Sequence, residues 1–214
     1  MNKTILCGLL LCLFGAAGKG YGQEVKPGTV LWEFETEGTS EVSAPAIGGD
    51  GTVYFPSGHG VLYALDGKTG TKKTEFITGA GIISTPVVSP DNTIFVGSHN
   101  NKHFYAFNGN KGIKKWEFET LEGRVLSAAI GANGLVYLVS NFRIIYALDQ
   151  KTGSKKWDFE PKVKHADGWR ESSPAVGGDG TVYVASLGSL SMSQFIYVYP
   201  SFQMLLYLIN ISDI

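Results

Sequence analysis

The sequence predicts an all-β fold made of four-stranded antiparallel units repeated along the chain. Three observations carry this expectation. Near-copies of one strand–turn–strand stretch recur at a fixed spacing, Asp-Gly or Asn-Gly pairs punctuate short apolar runs, and the 28 glycines in 214 residues are roughly twice the usual share. Many glycines mean many tight turns, and many tight turns mean short strands.

The most regular stretch is Tyr146-Ala147-Leu148-Asp149-Gln150-Lys151-Thr152-Gly153-Ser154-Lys155-Lys156-Trp157. Two earlier copies are Tyr63-Ala64-Leu65-Asp66-Gly67-Lys68-Thr69-Gly70 and Tyr105-Ala106-Phe107-Asn108-Gly109-Asn110-Lys111-Gly112, which place Ala64, Ala106 and Ala147 42 and 41 residues apart. The residues four beyond each turn glycine are Thr74, Trp116 and Trp157, and Gly28 to Trp32 supplies a half-copy at the same offset. Each tryptophan is followed by an acidic residue, Phe and Glu, as in Glu33-Phe34-Glu35, Glu117-Phe118-Glu119 and Asp158-Phe159-Glu160.

The other half of the unit repeats as well. Ser43-Ala44-Pro45-Ala46-Ile47 answers to Ser84-Thr85-Pro86-Val87-Val88, to Ser127-Ala128-Ala129-Ile130 and to Ser173-Pro174-Ala175-Val176. A turn and a short strand follow each time: Asp50-Gly51-Thr52-Val53-Tyr54, Asp91-Asn92-Thr93-Ile94-Phe95, Asn133-Gly134-Leu135-Val136-Tyr137 and Asp179-Gly180-Thr181-Val182-Tyr183. Asp-Gly and Asn-Gly between β-formers signal a type I′ hairpin, which needs positive φ at both central residues. Four short strands and four turns use about 42 residues, the arithmetic of a β-propeller blade. Period-2 alternation, as in Val61-Leu62-Tyr63-Ala64-Leu65, excludes helical repeats of similar length. The expected fold is therefore about four propeller blades, an incomplete ring. One large flat side chain per blade, at Trp32, Trp116 and Trp157, covers the face of its neighbour in this reading.

Residues 1–22 read as a secretory signal peptide: a basic start at Lys3, an apolar run from Ile5 to Phe14, and small residues at Ala16-Ala17-Gly18 or Gly20-Tyr21-Gly22. The run is too short for a membrane helix of roughly 20 residues, so no transmembrane segment is expected after cleavage, and the chain is expected to be secreted or periplasmic. Cys7 and Cys12 both lie in this leader, which removes disulfide frameworks and thiolate metal sites from the mature chain. Loss of Lys3 and Lys19 leaves 16 basic against 19 acidic residues, and no basic patch recommends nucleic acid.

Two departures interrupt the pattern in the repeat region 23–186. Between Phe159 and Ser173 a longer connection carries His165, Trp169 and Arg170, which makes it the candidate binding loop. From Leu187 the Thr-Gly turn and the tryptophan are missing, and 187–214 form an atypical apolar tail with one charge, Asp213. The tail reads as a truncated or degenerate end of the fourth blade, with pairing as that blade's outer strands the other reading.

The pattern Ala-x-Asp-x-x-Thr-Gly-x-x-x-Trp at Ala147 to Trp157 resembles the repeat of the pyrroloquinoline-quinone-like (PQQ-like) β-propeller family. The first copy departs at Thr74 and the second at Asn108 and Lys111, and the likeness runs over roughly residues 27 to 186. The resemblance implies tryptophans docked between blades. It implies structural docking roles for Trp32, Ala64, Gly70, Ala106, Gly112, Trp116, Ala147, Asp149, Thr152, Gly153 and Trp157. Family members range from quinoprotein alcohol and sugar dehydrogenases to the propeller of the outer-membrane assembly machine, with rings of seven or eight blades. About four blades imply a fragment, or self-association to complete the ring.

The dehydrogenases of that family hold a quinone over a calcium ion with Glu, Asn and Asp ligands, a catalytic Asp and often a vicinal Cys pair, and none of these can be matched here residue by residue. His99 and His103 stand four apart but flank Asn100-Asn101 in a hairpin connection, so they read as polar loop residues. Asn210-Ile211-Ser212 is a formal glycosylation sequon. The reading is a non-enzymatic scaffold that binds protein partners, or glycans, through its loops, with no catalytic residue, metal or cofactor. The alternatives are a piece of a quinoprotein dehydrogenase, with PQQ and calcium, and a truncated product without function.

Overall fold

A computed structural model of the chain describes residues 26–36, 43–82, 84–98, 101–121, 123–140, 144–160, 173–187, 194–199 and 209–210. The chain divides into two compact units, Met1–Leu31 and Trp32–Ile214. In the first, the described residues hold a turn in which the Thr29 N–H donates to the Lys26 carbonyl at 3.1 Å. The leader 1–22 and the loop carrying His165, Trp169 and Arg170 lie outside the described residues.

The second unit is all-β, with sixteen strands among the described residues. The first sheet is β1 (Ala46–Ile47), β2 (Thr52–Pro56), β3 (Val61–Asp66) and β4 (Lys72–Ile77). The second is β5 (Val87–Val88), β6 (Thr93–Gly97), β7 (His103–Asn108) and β8 (Ile113–Glu119). The third is β9 (Val125–Ile130), β10 (Leu135–Ser140), β11 (Ile145–Asp149) and β12 (Lys155–Phe159). The fourth is β13 (Ala175–Val176), β14 (Val182–Leu187), β15 (Gln194–Tyr199) and β16 (Ile209–Asn210). Each sheet is an up-and-down antiparallel meander in sequence order, which is a propeller blade.

The fourth sheet draws β15 and β16 from beyond residue 186. Its register sets Tyr183 opposite Val198 and Val184 opposite Tyr197, as Tyr54 stands opposite Ala64 and Phe55 opposite Tyr63. Tyr197-Val198-Tyr199 thus takes the place of Tyr63-Ala64-Leu65. Repetition of pairing survives there although repetition of residue type does not.

The Asp-Gly hairpins differ from the type I′ expectation. Gly51, Gly134 and Gly180 have φ of +78°, +78° and +84°, and Asn92 takes the same place at +60°, but Asp50, Asp91, Asn133 and Asp179 stay at negative φ. The turn is formed one residue earlier, with the Gly51 N–H donating to Gly48 O and Gly48 N–H to Thr52 O, both at 2.9 Å. The physical reason lies in the aspartate: the Asp50 carboxylate accepts the Thr52 N–H at 3.0 Å and its hydroxyl at 2.8 Å, an Asx turn that needs only one left-handed residue after it.

The apolar core lies between sheets, because alternate strand residues face opposite neighbours. Tyr54, Leu62, Ala64 and Phe76 of the first sheet meet Ile94, Val96, Tyr105 and Phe107 of the second. Phe95, Phe104, Ala106 and Trp116 of the second meet Val136, Leu138, Tyr146 and Leu148 of the third. Tyr137, Ile145 and Ala147 of the third, with Trp157 against them, meet Val182 and Val184 of the fourth. No helix among the described residues is long and apolar enough to cross a membrane.

Candidate functional site

The motif residues come together at the joints between sheets. Ala106 stands directly opposite Trp116 across β7 and β8, Ala147 opposite Trp157 across β11 and β12, and Ala64 opposite Thr74 across β3 and β4. All three alanines are at most 1% exposed. A methyl group there leaves room for the indole on the adjoining strand. In every case a register shift follows the alanine, between Ala64 and Leu65, Ala106 and Phe107, and Ala147 and Leu148. Such a bulge adds local twist to the outer hairpin.

Trp116 reaches from its strand to the next sheet, and Trp32 reaches the first. Trp116 Nε1–H donates to the Gln150 carbonyl at 3.1 Å, and a Cβ added to Gly153 would lie 2.7 Å from the Trp116 ring. Trp32 repeats this on the first sheet, donating to Gly67 O at 3.0 Å and lying 2.7 Å from the place of a Gly70 Cβ. Where Thr74 replaces tryptophan, the same test at Gly112 meets the Thr74 side chain, its hydroxyl at 3.2 Å and its methyl at 4.0 Å. Gly70, Gly112 and Gly153 have φ of +71°, +69° and +73°, so each is fixed by backbone conformation, and two of them also by an indole. Within the sequence the tryptophan follows its own turn by four residues; in space it covers the turn of the following sheet.

The turn itself is built by a carboxylate. Asp149 Oδ1 accepts the Lys151 and Thr152 N–H groups, both at 3.0 Å, and the Thr152 hydroxyl at 3.1 Å. Asp66 does the same for Lys68 and Thr69. The Thr152 N–H is the largest influence holding the Asp149 carboxyl below its ordinary range, and the Lys68 N–H plays that part for Asp66, because these donors favour the charged form. In the second sheet Asn108 Oδ1 accepts from Asn110 and Lys111 at 3.0 and 2.9 Å without a charge. Across joints, the Tyr54 hydroxyl donates to Asn92 Oδ1 at 3.0 Å and the Tyr105 hydroxyl to Thr78 O at 3.1 Å. Burial raises both phenols above their ordinary range.

Gln150 was not singled out by sequence. It stands where the other turns have Gly67 and Gly109, and its Nε2 donates to Gly131 O at 3.0 Å and Leu135 O at 2.8 Å. It lines a cleft of about 530 Å³ with Asp91, Asn133, Asp149, Lys151 and Lys156. In the first two sheets Lys73 and Lys115 donate to Thr52 and Thr93 hydroxyls at 2.6 and 2.8 Å. The third has Leu135 at that place, and Lys156 lies 3.4 Å from Asp149.

His103 begins β7 and its ring stacks on Tyr105 at 5.8 Å, while His99 lies outside the described residues. Among the described residues no three His, Cys, Asp or Glu side chains converge. Asp50, Asp66, Asp91, Asp149 and Asp179 each accept hydrogen bonds within their own turn.

Four-stranded sheets of this order, packed face to face, define a β-propeller, and the repeats are PQQ-like. The chain belongs to that family: the family model described as "Outer membrane protein assembly factor BamB" matches residues 22–123 and 119–194. No curated protein matches the chain. Among solved structures, BamB from Moraxella catarrhalis is similar at 16% identity and a TM-score of 0.60, over 78% of this chain and 49% of that one. The chain thus spans about half the length of that BamB.

Proposed function

We propose that the chain is a secreted or periplasmic propeller module, non-enzymatic, that acts as a scaffold for protein partners of the outer-membrane assembly type. The observation that carries this is the family match over residues 22–123 and 119–194 to a model described as an outer-membrane assembly factor. The architecture supports it: Asp66 and Asp149 are engaged in their own turns, and Gly70 and Gly153 lie under the indoles of Trp32 and Trp116. In this proposal Trp32, Trp116 and Trp157 are docking residues between blades, with Ala64, Ala106 and Ala147 making room for the side chain on the adjoining strand. The partner-binding surface is then the loops, foremost the connection with His165, Trp169 and Arg170, for protein rather than glycan.

The test is expression in a diderm bacterium with a C-terminal tag, fractionation, and binding of the purified mature chain to a purified outer-membrane assembly complex. Recovery of processed chain in the periplasmic fraction and saturable binding, lost on changing Trp169 and Arg170 to alanine, supports the proposal. Retention of the unprocessed chain in the cytoplasm overturns it. So does quinone absorbance that survives gel filtration after mixing with PQQ and calcium.

A further inference from the structure

The joint between the first and second sheets is closed at its turn end by a chain of hydrogen bonds. The Tyr54 hydroxyl donates to Asn92 Oδ1 at 3.0 Å, and Asn92 Nδ2 donates to Asn110 Oδ1 at 2.8 Å. Little room is left around it: a Cβ on Gly109 would lie 2.5 Å from the Tyr54 hydroxyl and 2.9 Å from Asn92 Nδ2. At the joint between the second and third sheets the equivalent residues are Phe95, Gly134 and Lys151. Phe95 has no hydroxyl and Gly134 no side chain, so the chain of hydrogen bonds has no second copy. In its place lies the cleft of about 530 Å³, with Gly134 and Lys151 in its wall.

The acidic groups of this cleft are already engaged. Asp91 accepts the Thr93 N–H at 3.3 Å and faces Lys115 at 3.6 Å. Asp149 accepts three donors of its own turn and faces Lys156 at 3.4 Å. The amides are engaged too: Gln150 Nε2 donates to two carbonyls, and Asn133 donates to the Tyr137 hydroxyl at 2.8 Å while accepting the Leu135 N–H at 3.2 Å. The lysines are less well held. The exposed Lys151 ammonium has no hydrogen-bond or ion-pair partner among the described residues, and Lys156 meets Leu135 where Lys73 and Lys115 find a threonine hydroxyl. With Lys115 set against Asp91 and Lys156 against Asp149, the charge left over is that of Lys151.

We infer that the cleft is an oxyanion site, in which a phosphate or carboxylate group of a small polar solute sits against Lys151, with Lys156 as the second cation. The volume falls in the range of about 300–1,000 Å³ typical of small-molecule sites, more than a bare oxyanion fills, so the anionic group is carried on a larger body that meets Ser89, Thr93 and Asn133. An ammonium is a point charge without the planar fork of a guanidinium, which is why the class of ligand is set by its charge rather than by its shape. The inference rests on the joint between two sheets and not on any protein partner.

The test titrates the purified mature chain with inorganic phosphate and, separately, with succinate, at pH 7 and constant ionic strength, following the backbone amide signals of Gly134, Gln150 and Lys151 by NMR. The account gives saturable shifts with a dissociation constant of about 1–10 mM for at least one of the two, and the tighter one identifies the group. Lys151→Gln weakens binding about tenfold, the loss of one charge-assisted hydrogen bond, whereas Lys68→Gln, at the same place in the first sheet's turn, leaves it unchanged. Phe95→Tyr combined with Gly134→Asn and Lys151→Asn rebuilds the closed joint, since Asn92 holds φ +60° at the place of Gly134, and abolishes binding. Circular dichroism reports whether that triple variant folds; if it does not, the exposed Lys151→Gln alone decides. No saturable shift with either anion, equal weakening by Lys68→Gln, or undiminished binding in the rebuilt joint overturns the inference. The assembly-complex assay changes Trp169 and Arg170 and not the cleft, so failure here leaves that reading standing.

Discussion

Gly153→Ala is the sharpest probe of the joints. Gly153 has φ +73°, and a Cβ there would lie 2.7 Å from Cδ2 and 2.8 Å from Cε3 of Trp116, well inside van der Waals contact. Two costs add. Placing an L side chain in the left-handed region costs about 1–2 kcal/mol, and pushing aside a buried indole that also holds the Gln150 carbonyl adds an overpacking cost of about 1–3 kcal/mol. The total is about 2–5 kcal/mol, measured by urea unfolding. Gly134→Ala isolates the first cost, since Gly134 has φ +78° and nothing within 4 Å of the added carbon; it loses only about 1–2 kcal/mol. Gly112→Ala, facing Thr74 at 3.2 Å, falls between them. In a Trp116→Ala background the cost of Gly153→Ala drops to the Gly134 value, a coupling of about 1–3 kcal/mol. Equal costs for Gly153→Ala and Gly134→Ala, or no coupling to Trp116, would refute the reasoning.

Three further outcomes follow from the same geometry. Ala106→Leu, at a fully buried residue directly opposite Trp116, overfills the joint and costs about 1–3 kcal/mol in urea unfolding. Asp149→Ala removes the acceptor for two turn N–H groups and costs about 1 kcal/mol, whereas Asp149→Asn keeps the turn as Asn108 does and costs less. The pH dependence separates the two roles of Asp149. Its folded carboxyl is held below the ordinary range, so its stabilisation is present above about pH 4 and is lost as pH falls through the lowered folded value. Thermal unfolding of Asp149→Asn from pH 7 to pH 2 should therefore show a shallower acid decline than the parent.

The sheets were legible because each blade is local: spacing of Ala64, Ala106 and Ala147 with their turns fixes four strands per period without any long-range knowledge. The direction of the joint was not legible, since Trp116 is written beside Gly112 in sequence and covers Gly153 in space; the pairing depends on how one sheet lies on the next. The hairpins depart from type I′ because the Asp side chain enters the turn. The Asp50 carboxylate captures the Thr52 N–H and shifts the turn by one residue. Gln150 carries no sequence signal because its role is to donate to the Gly131 and Leu135 carbonyls at the two ends of the β9–β10 turn. The outer strands of the fourth sheet lack every marker used for the others, with Val198 at the alanine place, yet β15 keeps the register. Function was less legible than fold, because the repeated residues serve the joints and the loop around Trp169 has no counterpart in the chain to compare with.

The central claim, that the repeated tryptophan joins one blade to the next, is tested most directly by proton NMR of the folded chain. The account gives slowly exchanging indole N–H protons for Trp32 and Trp116, bonded to Gly67 and Gln150 carbonyls, with cross-peaks from each ring to the α-protons of Gly70 and Gly153 respectively. Fast-exchanging indoles, or rings whose only cross-peaks lie within their own sheet, would contradict it.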